Sequence, residues 1–229
     1  MNTYFTAMTE IIEAHDGVVD KYIGDAIVAV FGAPLDDPDH AVHAVQAAID
    51  CTRRLQELNC TAAAFKGREL RCRIGLNTGE ALVGNIGSLR RFNYTVMGDT
   101  VNLASRLEGA NKYFATTIMA SEMTVSLTGA AFVWRELDAI RVKGHVMPLK
   151  VFEPLAAAGG AATEQQALAA VFAEGLACWR AQDFAGAAAR FAQIGAADPP
   201  AALFLKRATT LVRCPPDPSW EPITALGNS

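Results

Sequence analysis

Residues 17–33 read GVVDKYIGDAIVAVFGA, and this stretch decides the fold. Two runs rich in β-branched residues, 17–23 and 26–32, flank the dipeptide Gly24-Asp25. A two-residue hairpin turn favours Gly and Asp because its backbone needs positive φ angles. The stretch therefore predicts a β-hairpin that turns at Gly24-Asp25.

Helices are predicted on both sides of this hairpin. Residues 3–14 carry apolar side chains at helical spacing, and so do residues 40–58, whose first turn Asp39 is placed to cap. Further along, residues 70–87 predict a second strand pair, and Gly98-Asp99 predicts a turn. Asp99 is then the expected N-cap of a helix over 100–112, and shorter strands are expected at 117–120, 132–136 and 149–152.

This order of elements predicts the fold class. Helices lie between paired strands without the regular βα alternation of a doubly wound sheet, which indicates an α+β sandwich with its helices on one face. We expect a domain over 1–154, a small-residue linker over 155–164, a helical segment over 165–213 and a Pro-rich extended tail over 214–229.

The helical segment is predicted to hold three helices, at 165–181, 184–194 and 200–212. Trp179, Phe184 and Phe191 are its expected inward anchors. Its spacing is similar to part of one tetratricopeptide unit, and a single unit cannot bury its own apolar face. The segment is therefore expected to dock onto the preceding domain or onto a protein partner.

Composition excludes several classes of protein. The 229 residues carry a formal net charge of −4 with both signs interspersed, which argues against a general nucleic-acid binder. Five cysteines at unrelated spacings indicate reduced thiols. No apolar run approaches the roughly 20 residues that span a bilayer, and no signal peptide is evident. We expect a cytoplasmic location, either alone or as the cytoplasmic part of a longer membrane-bound parent.

Five polar residues are candidates for chemistry, and each has a plain structural alternative. Lys21 lies either on a solvated strand edge or in a site, and Asp25 suits a turn for backbone reasons alone. Asn102 and Arg106 are spaced i, i+4, so they share a helix face that is either solvated or functional. Lys143 is equally ambiguous by itself.

Taken together, four stretches in order resemble the class III adenylate and guanylate cyclases. They are DKYIGDAIVAVFGAP at 20–34, RIGLNTGEALVGNIGS at 73–88, YTVMGDTVNLASRLE at 94–108 and RVKG at 141–144. The resemblance covers residues 1 to about 154. It implies a ferredoxin-like βαββαβ sandwich, and cyclisation of a nucleoside triphosphate at a homodimer interface with release of pyrophosphate. It also implies Mg²⁺, with Mn²⁺ as the alternative, in a two-metal arrangement.

The resemblance implies a role for each candidate residue. Asp25 matches the second metal-binding aspartate of the family, and carboxylates are ligands that Mg²⁺ prefers. Lys21 and Thr95 match the two residues that read the base. A lysine donates to N1 of adenine and a hydroxyl accepts from the 6-amino group, so ATP is the expected substrate.

The remaining candidates concern the ribose and the phosphates. Asn102 matches the residue that orients the ribose, and Arg106 the one that stabilises charge on the α-phosphate. Lys143 matches the lysine that holds the terminal phosphates. A symmetric homodimer would combine the metal ligands of one subunit with the other residues of its partner.

The sequence also departs from the family pattern. The family domain begins with a Phe-x-Asp-Ile-x-Gly-Phe strand that carries the first metal aspartate, and no such stretch precedes the first predicted helix. We therefore expect the sandwich to lack its first strand, an N-terminally truncated domain and impaired activity. Asp138-Ala139-Ile140 is only superficially similar to that strand. His40 and His43, near several aspartates, are expected to bind no metal.

Three functions follow as alternatives. The first is an adenylate cyclase that makes cyclic AMP for intracellular signalling. The second is a catalytically silent nucleotide-binding or regulatory module, and the third is a helical-repeat interaction protein that depends on the tail alone.

Overall fold

The structure, a computed structural model, describes residues 1–61, 65, 69–142, 147–159 and 162–226. Within these residues lie seven α-helices: α1 Asn2–Ala14, α2 His40–Thr61, α3 Asp99–Phe114, α4 Glu122–Leu127, α5 Ala162–Arg180, α6 Phe184–Ile194 and α7 Pro199–Arg213. The strands are β1 Gly17–Ile23, β2 Ala26–Phe31, β3 Ile74–Leu76, β4 Leu82–Ser88, β5 Arg91–Met97, β6 Ile118–Ser121, β7 Phe132–Arg141, β8 Leu149–Ala157 and β9 Thr224–Ala225.

The first hairpin forms as predicted. Strands β1 and β2 pair antiparallel, and Ile23 stands opposite Ala26, which leaves a two-residue turn. Gly24 adopts φ +65°, a conformation that glycine reaches without steric cost. The prediction of a turn at Gly24-Asp25 is confirmed.

The strands of the described residues form three separate sheets. Besides the β1–β2 hairpin there is a β4–β5 hairpin and a five-stranded sheet in the order β3-β6-β8-β7-β9. The prediction of one strand pair over 70–87 is wrong, because β3 pairs parallel with β6 while β4 pairs antiparallel with β5. Gly75 explains the position of β3, since a Cβ there would lie 2.0 Å from the Ala104 carbonyl oxygen of α3.

The start of α3 also differs from the prediction. Gly98 is the N-cap and makes no side-chain hydrogen bond, while Asp99 is the first helical residue. The prediction of Asp99 as N-cap is therefore wrong. At its observed position the Asp99 carboxylate still complements the positive end of the helix dipole.

Two hydrophobic clusters hold these elements together. The smaller one, here called the hairpin core, joins α1, α2 and the β1–β2 hairpin, with Met8, Ile12 and Leu58 buried at its centre. The larger one, here called the sheet–tail core, joins α3 and the five-stranded sheet to helices α5, α6 and α7. Its largest fully buried side chains include Trp179, Phe172, Phe191 and Phe204.

The helical segment packs against the sheet, across the predicted boundary at residue 154. Strand β8 continues to Ala157 and α5 begins at Ala162, so the connection is shorter than the predicted linker over 155–164. Trp179, Phe184 and Phe191 are buried as expected. The likeness to a tetratricopeptide unit stays a prediction.

Ion pairs reinforce this packing. Arg135 on β7 is 3% exposed and pairs with Glu153 on β8, and its Nη1 lies 2.7 Å from Oδ2 of Asp198, the N-cap of α7. The Arg135 guanidinium also lies over the Phe172 ring, 4.9 Å from its centroid. Arg135 therefore links the sheet to the helical segment from inside the sheet–tail core.

A second buried charge ties down the C-terminal tail. Asp138 on β7 is fully buried, accepts a 2.6 Å hydrogen bond from the Thr224 hydroxyl on β9 and lies 3.5 Å from Arg207 on α7. Asp138 is thus a structural residue within β7. The Pro-rich tail, predicted to be extended, contributes β9 as a parallel partner of β7.

No helix in the described part of the chain is both long and apolar enough to cross a membrane.

Removing the Arg135 side chain is expected to destabilise the fold strongly. Arg135→Ala leaves Glu153 and Asp198 without their cation in a partly buried setting, so the free energy of unfolding should fall by about 3–5 kcal/mol. The control is Arg141→Ala, since Arg141 pairs with Glu221 in an exposed ion pair and should cost about 0–1 kcal/mol. Urea unfolding followed by tryptophan fluorescence measures both, and equal effects of the two substitutions would contradict the assigned role.

The buried Asp138 also predicts a pH dependence of stability. Burial raises the pKa of Asp138, against the opposing effects of the Thr224 hydrogen bond and the Arg207 charge. Between an unfolded pKa of about 3.9 and this raised value, the folded state binds the proton more tightly. The contribution of Asp138 to the free energy of unfolding therefore falls as pH rises through this window, and it is constant above it. In Asp138→Asn, the free energy of unfolding measured by urea titration should change less with pH from about pH 4 upward. An equal pH dependence in the variant and the wild type would show that Asp138 does not contribute.

Candidate functional site

Strand β1 carries one extra residue, and that residue orients the candidate lysine. Val19 pairs with Ala29 and Lys21 pairs with Val28, so Asp20 is a β-bulge. Val19 packs into the hairpin core, and beyond the bulge Tyr22 turns back to α1, with its hydroxyl 2.8 Å from Thr9 Oγ1. Lys21 is left on the opposite face, because a bulge shifts the alternation of the strand by one residue. Strict alternation along β1 would have placed Lys21 on the same side as Val19.

On that opposite face, Lys21 meets the other predicted base-reading residue. Lys21 Nζ donates a 2.6 Å hydrogen bond to Thr95 Oγ1 on β5, across 74 positions of sequence. Thr95 is 7% exposed, whereas the Lys21 side chain is 40% exposed. The two side chains therefore form one polar group with a buried hydroxyl and a solvent-facing ammonium.

Asp20 completes this group, and it was missed in the sequence. Its Oδ2 accepts a 2.9 Å hydrogen bond from Thr95 Oγ1 and lies 3.2 Å from Lys21 Nζ. One signal was available, since simple alternation would turn one of the two adjacent charges, Asp20 or Lys21, toward the apolar face of the strand. Two adjacent charges at that position indicate an edge or a bulge.

Asn102 and Arg106 occupy the predicted face of α3. Asn102 is exposed and Arg106 is half-buried. Within the described residues, neither side chain makes a hydrogen bond or ion pair, and no such contact joins them to Lys21 or Thr95. Helix α3 begins two residues after β5, so the chain places Asn102 one helical turn beyond the strand that carries Thr95.

Asp25 and Lys143 have different positions. Asp25 lies exposed at the tip of the first hairpin. Burial raises the pKa of Tyr4 to about 12, and charge interactions with Cys72, Cys51 and, least of all, Asp25 add to this rise. Lys143 lies outside the described residues, so its predicted role stays a prediction.

The metal-binding capacity follows from the donor set. Asp25 offers one oxygen donor of the kind that Mg²⁺ takes, and Mg²⁺ commonly completes its shell with substrate phosphates and water. Over residues 1–61, 69–142 and the other described stretches, no group of three or more His, Cys, Asp or Glu side chains is arranged to hold a metal. His43, one of the two histidines expected to bind no metal, pairs with an aspartate: its Nδ1 lies 2.8 Å from Asp37 Oδ2. A metal bound at the hairpin would therefore take one carboxylate from Asp25 and its other ligands from nucleotide phosphates and water.

Two open surface pockets of the described part of the chain lie elsewhere. One of about 490 Å³ lies between α1 and β1 beside Phe5 and Tyr22, and one of about 430 Å³ lies beside Asn77, Asp99 and Glu122. Neither is lined by Lys21, Thr95 or Arg106. The polar group of Asp20, Lys21 and Thr95 therefore lies outside both pockets.

Comparison with known proteins places the chain among nucleotide cyclases. The family described as "Adenylate and Guanylate cyclase catalytic domain" matches residues 1–153. Adenylate cyclase 1 of Rhizobium meliloti is 39% identical over 153 residues, which cover 67% of this chain and 23% of that protein. The terminal-differentiation-specific adenylate cyclase of Dictyostelium discoideum is 35% identical, over 67% of this chain and 7% of that protein. The chain thus spans less than a third of the length of these curated relatives.

Solved structures show the same relationship. The adenylyl cyclase CyaB from P. aeruginosa superimposes with a TM-score of 0.62 at 32% identity, covering 67% of this chain and 79% of that one. The guanylyl cyclase Cya2 superimposes with a TM-score of 0.61 at 32% identity, covering 70% and 80%. The predicted α+β cyclase sandwich is confirmed. With a family match over residues 1–153 of 229, the chain belongs to the class III adenylate and guanylate cyclase catalytic domain family.

Proposed function

We propose that this chain is the catalytic domain of an adenylate cyclase. It converts ATP to 3′,5′-cyclic AMP and pyrophosphate, by attack of the ribose 3′-hydroxyl on the α-phosphorus, in intracellular signalling. The observation that carries this proposal is the 2.6 Å contact between Lys21 Nζ and Thr95 Oγ1. Folding brings together the two residues that the family resemblance assigns to the base.

The polar atoms of this pair favour adenine. A lysine ammonium donates only, which suits the N1 acceptor of adenine, and the Thr95 oxygen can accept from the 6-amino group. Guanine presents an N1–H donor to the same ammonium. Leaving that pair unsatisfied costs roughly 1–3 kcal/mol, so ATP is preferred to GTP.

The other residues have proposed roles around the phosphates. Asn102 orients the ribose, Arg106 stabilises the charge that develops on the α-phosphate, and Lys143 holds the terminal phosphates. When divalent metal ions are bound, they supply charge neutralisation and activation of the 3′-hydroxyl, with Asp25 as a protein ligand.

A homodimer completes the proposed site. Large apolar side chains are exposed on the two hairpins and beside the Lys21–Thr95 pair, a pattern that marks a surface for association. They are Ile23 on β1, Leu82 on β4, and Phe92, Tyr94 and Met97 on β5. A second copy that covers this face would bring Asp25 of one subunit toward the base-reading and phosphate-binding residues of the other, and two-fold symmetry would give two sites.

Loss of Arg106 is expected to abolish most of the activity. A preorganised donor to developing charge contributes about 10²–10³ in turnover, so Arg106→Ala should lower cyclic AMP formation by that factor. The assay uses purified chain with ATP and either Mg²⁺ or Mn²⁺. Arg213→Ala is the control, because Arg213 lies exposed at the end of α7 in the helical segment.

Three results of this assay separate the alternatives. Activity that survives Arg106→Ala would show that the role of Arg106 is wrong. Wild-type chain that binds ATP but makes no cyclic AMP would indicate the catalytically silent module. A dependence of specific activity on protein concentration is expected, since each site needs residues from two chains.

Exchanging the base-reading pair should change the nucleotide preference. Lys21→Glu with Thr95→Cys provides an acceptor for N1–H and a donor for O6 of guanine. Asp20→Asn is added, since a glutamate introduced at position 21 would face the Asp20 carboxylate. The ratio of kcat/KM for ATP to that for GTP should fall roughly 5- to 150-fold. An unchanged ratio would contradict the assignment of Lys21 and Thr95 to the base.

A further inference from the structure

The Asp20 side chain is more deeply buried than the two residues at the end of its strand. The Asp20 side chain is 4% exposed, whereas Tyr22 and Ile23 of the same strand are largely exposed. From its contacts we propose that Asp20 is a positioning residue for nucleotide selection, which acts through the Thr95 hydroxyl. The inference rests on the proposed function, since it concerns how the base-reading pair discriminates between purines.

Three polar atoms form a closed triangle. Lys21 Nζ donates to Thr95 Oγ1 at 2.6 Å, Thr95 Oγ1 donates to Asp20 Oδ2 at 2.9 Å, and Asp20 Oδ2 lies 3.2 Å from Lys21 Nζ. The bulge at Asp20 makes the triangle possible, because it lets two consecutive side chains reach the same face of the strand. In a regular strand, Asp20 and Lys21 would point to opposite faces.

The triangle fixes which hydrogen-bonding groups remain for a ligand. A threonine hydroxyl has one hydrogen and two lone pairs. Asp20 takes the hydrogen and Lys21 takes one lone pair, so Thr95 presents a single acceptor outward. Lys21 keeps donors that are free to bind a ligand. The surface therefore offers one donor from Lys21 beside one acceptor from Thr95.

This fixed pattern matches adenine through N1 and the 6-amino group. A hydroxyl that is free to rotate can instead turn its hydrogen outward and donate to O6 of guanine. Without Asp20, Thr95 would accept from one purine or donate to the other with little preference. A carboxylate that cannot donate is therefore the group that makes the hydroxyl selective.

The charge of Asp20 has a second effect on the same pair. A buried carboxylate is tolerated when a cation and hydrogen-bond donors compensate it, and here one ammonium and one hydroxyl do so. Lys21 is held in turn within reach of Thr95, which lowers the conformational entropy that nucleotide binding must otherwise remove. Asp20 thus acts on orientation and contacts no atom of the nucleotide.

The test measures nucleotide preference by binding, independently of turnover. A fluorescent ribose-modified ATP is bound to the full chain and displaced by unlabelled ATP or GTP, and the ratio of their dissociation constants is the readout. Asp20→Ala should reduce the ATP preference by roughly tenfold, the value of one oriented hydrogen bond to a buried partner. If Asp20 acts in folding alone, the substitution would weaken the binding of both nucleotides equally and leave the ratio of their dissociation constants unchanged.

Companion variants make the result specific. Asp20→Asn keeps an oxygen that accepts from Thr95, so it should retain the ATP preference within about threefold, and it carries the test if the alanine variant does not fold. In a Thr95→Val background, Asp20→Ala should alter the ratio little, because its effect passes through the hydroxyl. Asp36→Ala is the matched control, since Asp36 is exposed and makes no hydrogen bond or ion pair within the described residues.

Each outcome has a distinct meaning. Loss of preference in Asp20→Ala, retention in Asp20→Asn and no further loss in the Thr95→Val background support the inference. A wild type that prefers ATP together with an Asp20→Ala variant that keeps the same preference overturns the inference and leaves the proposed function standing. A wild type with equal affinity for ATP and GTP overturns both.

Discussion

The site depends on the one extra residue that β1 carries at Asp20. Before the bulge the strand faces the hairpin core through Gly17 and Val19, and after it Tyr22 resumes that face. Because the alternation shifts there, Lys21 and Asp20 both lie toward Thr95. The same insertion thus serves two requirements, an apolar face toward α1 and α2 and a polar face toward β5.

The five-stranded sheet is covered by helices, whereas the β4–β5 hairpin keeps apolar side chains exposed. On one side, α5, α6 and α7 cover the five-stranded sheet, and Arg135 joins the two layers through Glu153 and Asp198. On the other side, the β4–β5 hairpin keeps Phe92, Tyr94 and Met97 exposed beside the polar group of Asp20, Lys21 and Thr95. The helical segment therefore covers the five-stranded sheet, whereas the described candidates Lys21 and Thr95 lie on the two hairpins.

Nucleotide selection in this fold rests on a few polar atoms. Adenylyl and guanylyl cyclases share its architecture, so the arrangement of helices and strands cannot distinguish ATP from GTP. The two purines differ in the hydrogen bonds they make at positions 1 and 6. Adenine accepts at N1 and donates from its 6-amino group, whereas guanine donates from N1–H and accepts at O6. A hydroxyl can do either, and in this chain the Thr95 hydroxyl donates its hydrogen to Asp20.

Part of the fold could be predicted from the local chemistry of the sequence. The turn at Gly24-Asp25, the helices at 2–14, 40–61 and 184–194, and the α+β class follow from periodicity and turn residues, which act over a few neighbouring positions. The motif order was sufficient to identify the family. The partners of β3 and β4 were mispredicted, because pairing depends on contacts distant in sequence and Gly75 lets α3 press directly on β3.

What tertiary structure alone decided concerns position and burial. The burial of Arg135 and Asp138 and the docking of β9 on β7 leave no periodic trace in the sequence, since each depends on a partner between 18 and 86 positions away. Sequence determined which residue types were available, and folding determined that Asp20 lies behind Thr95. The physical reason is that a hydrogen bond requires two groups within about 3 Å, a condition that spacing along the chain cannot state.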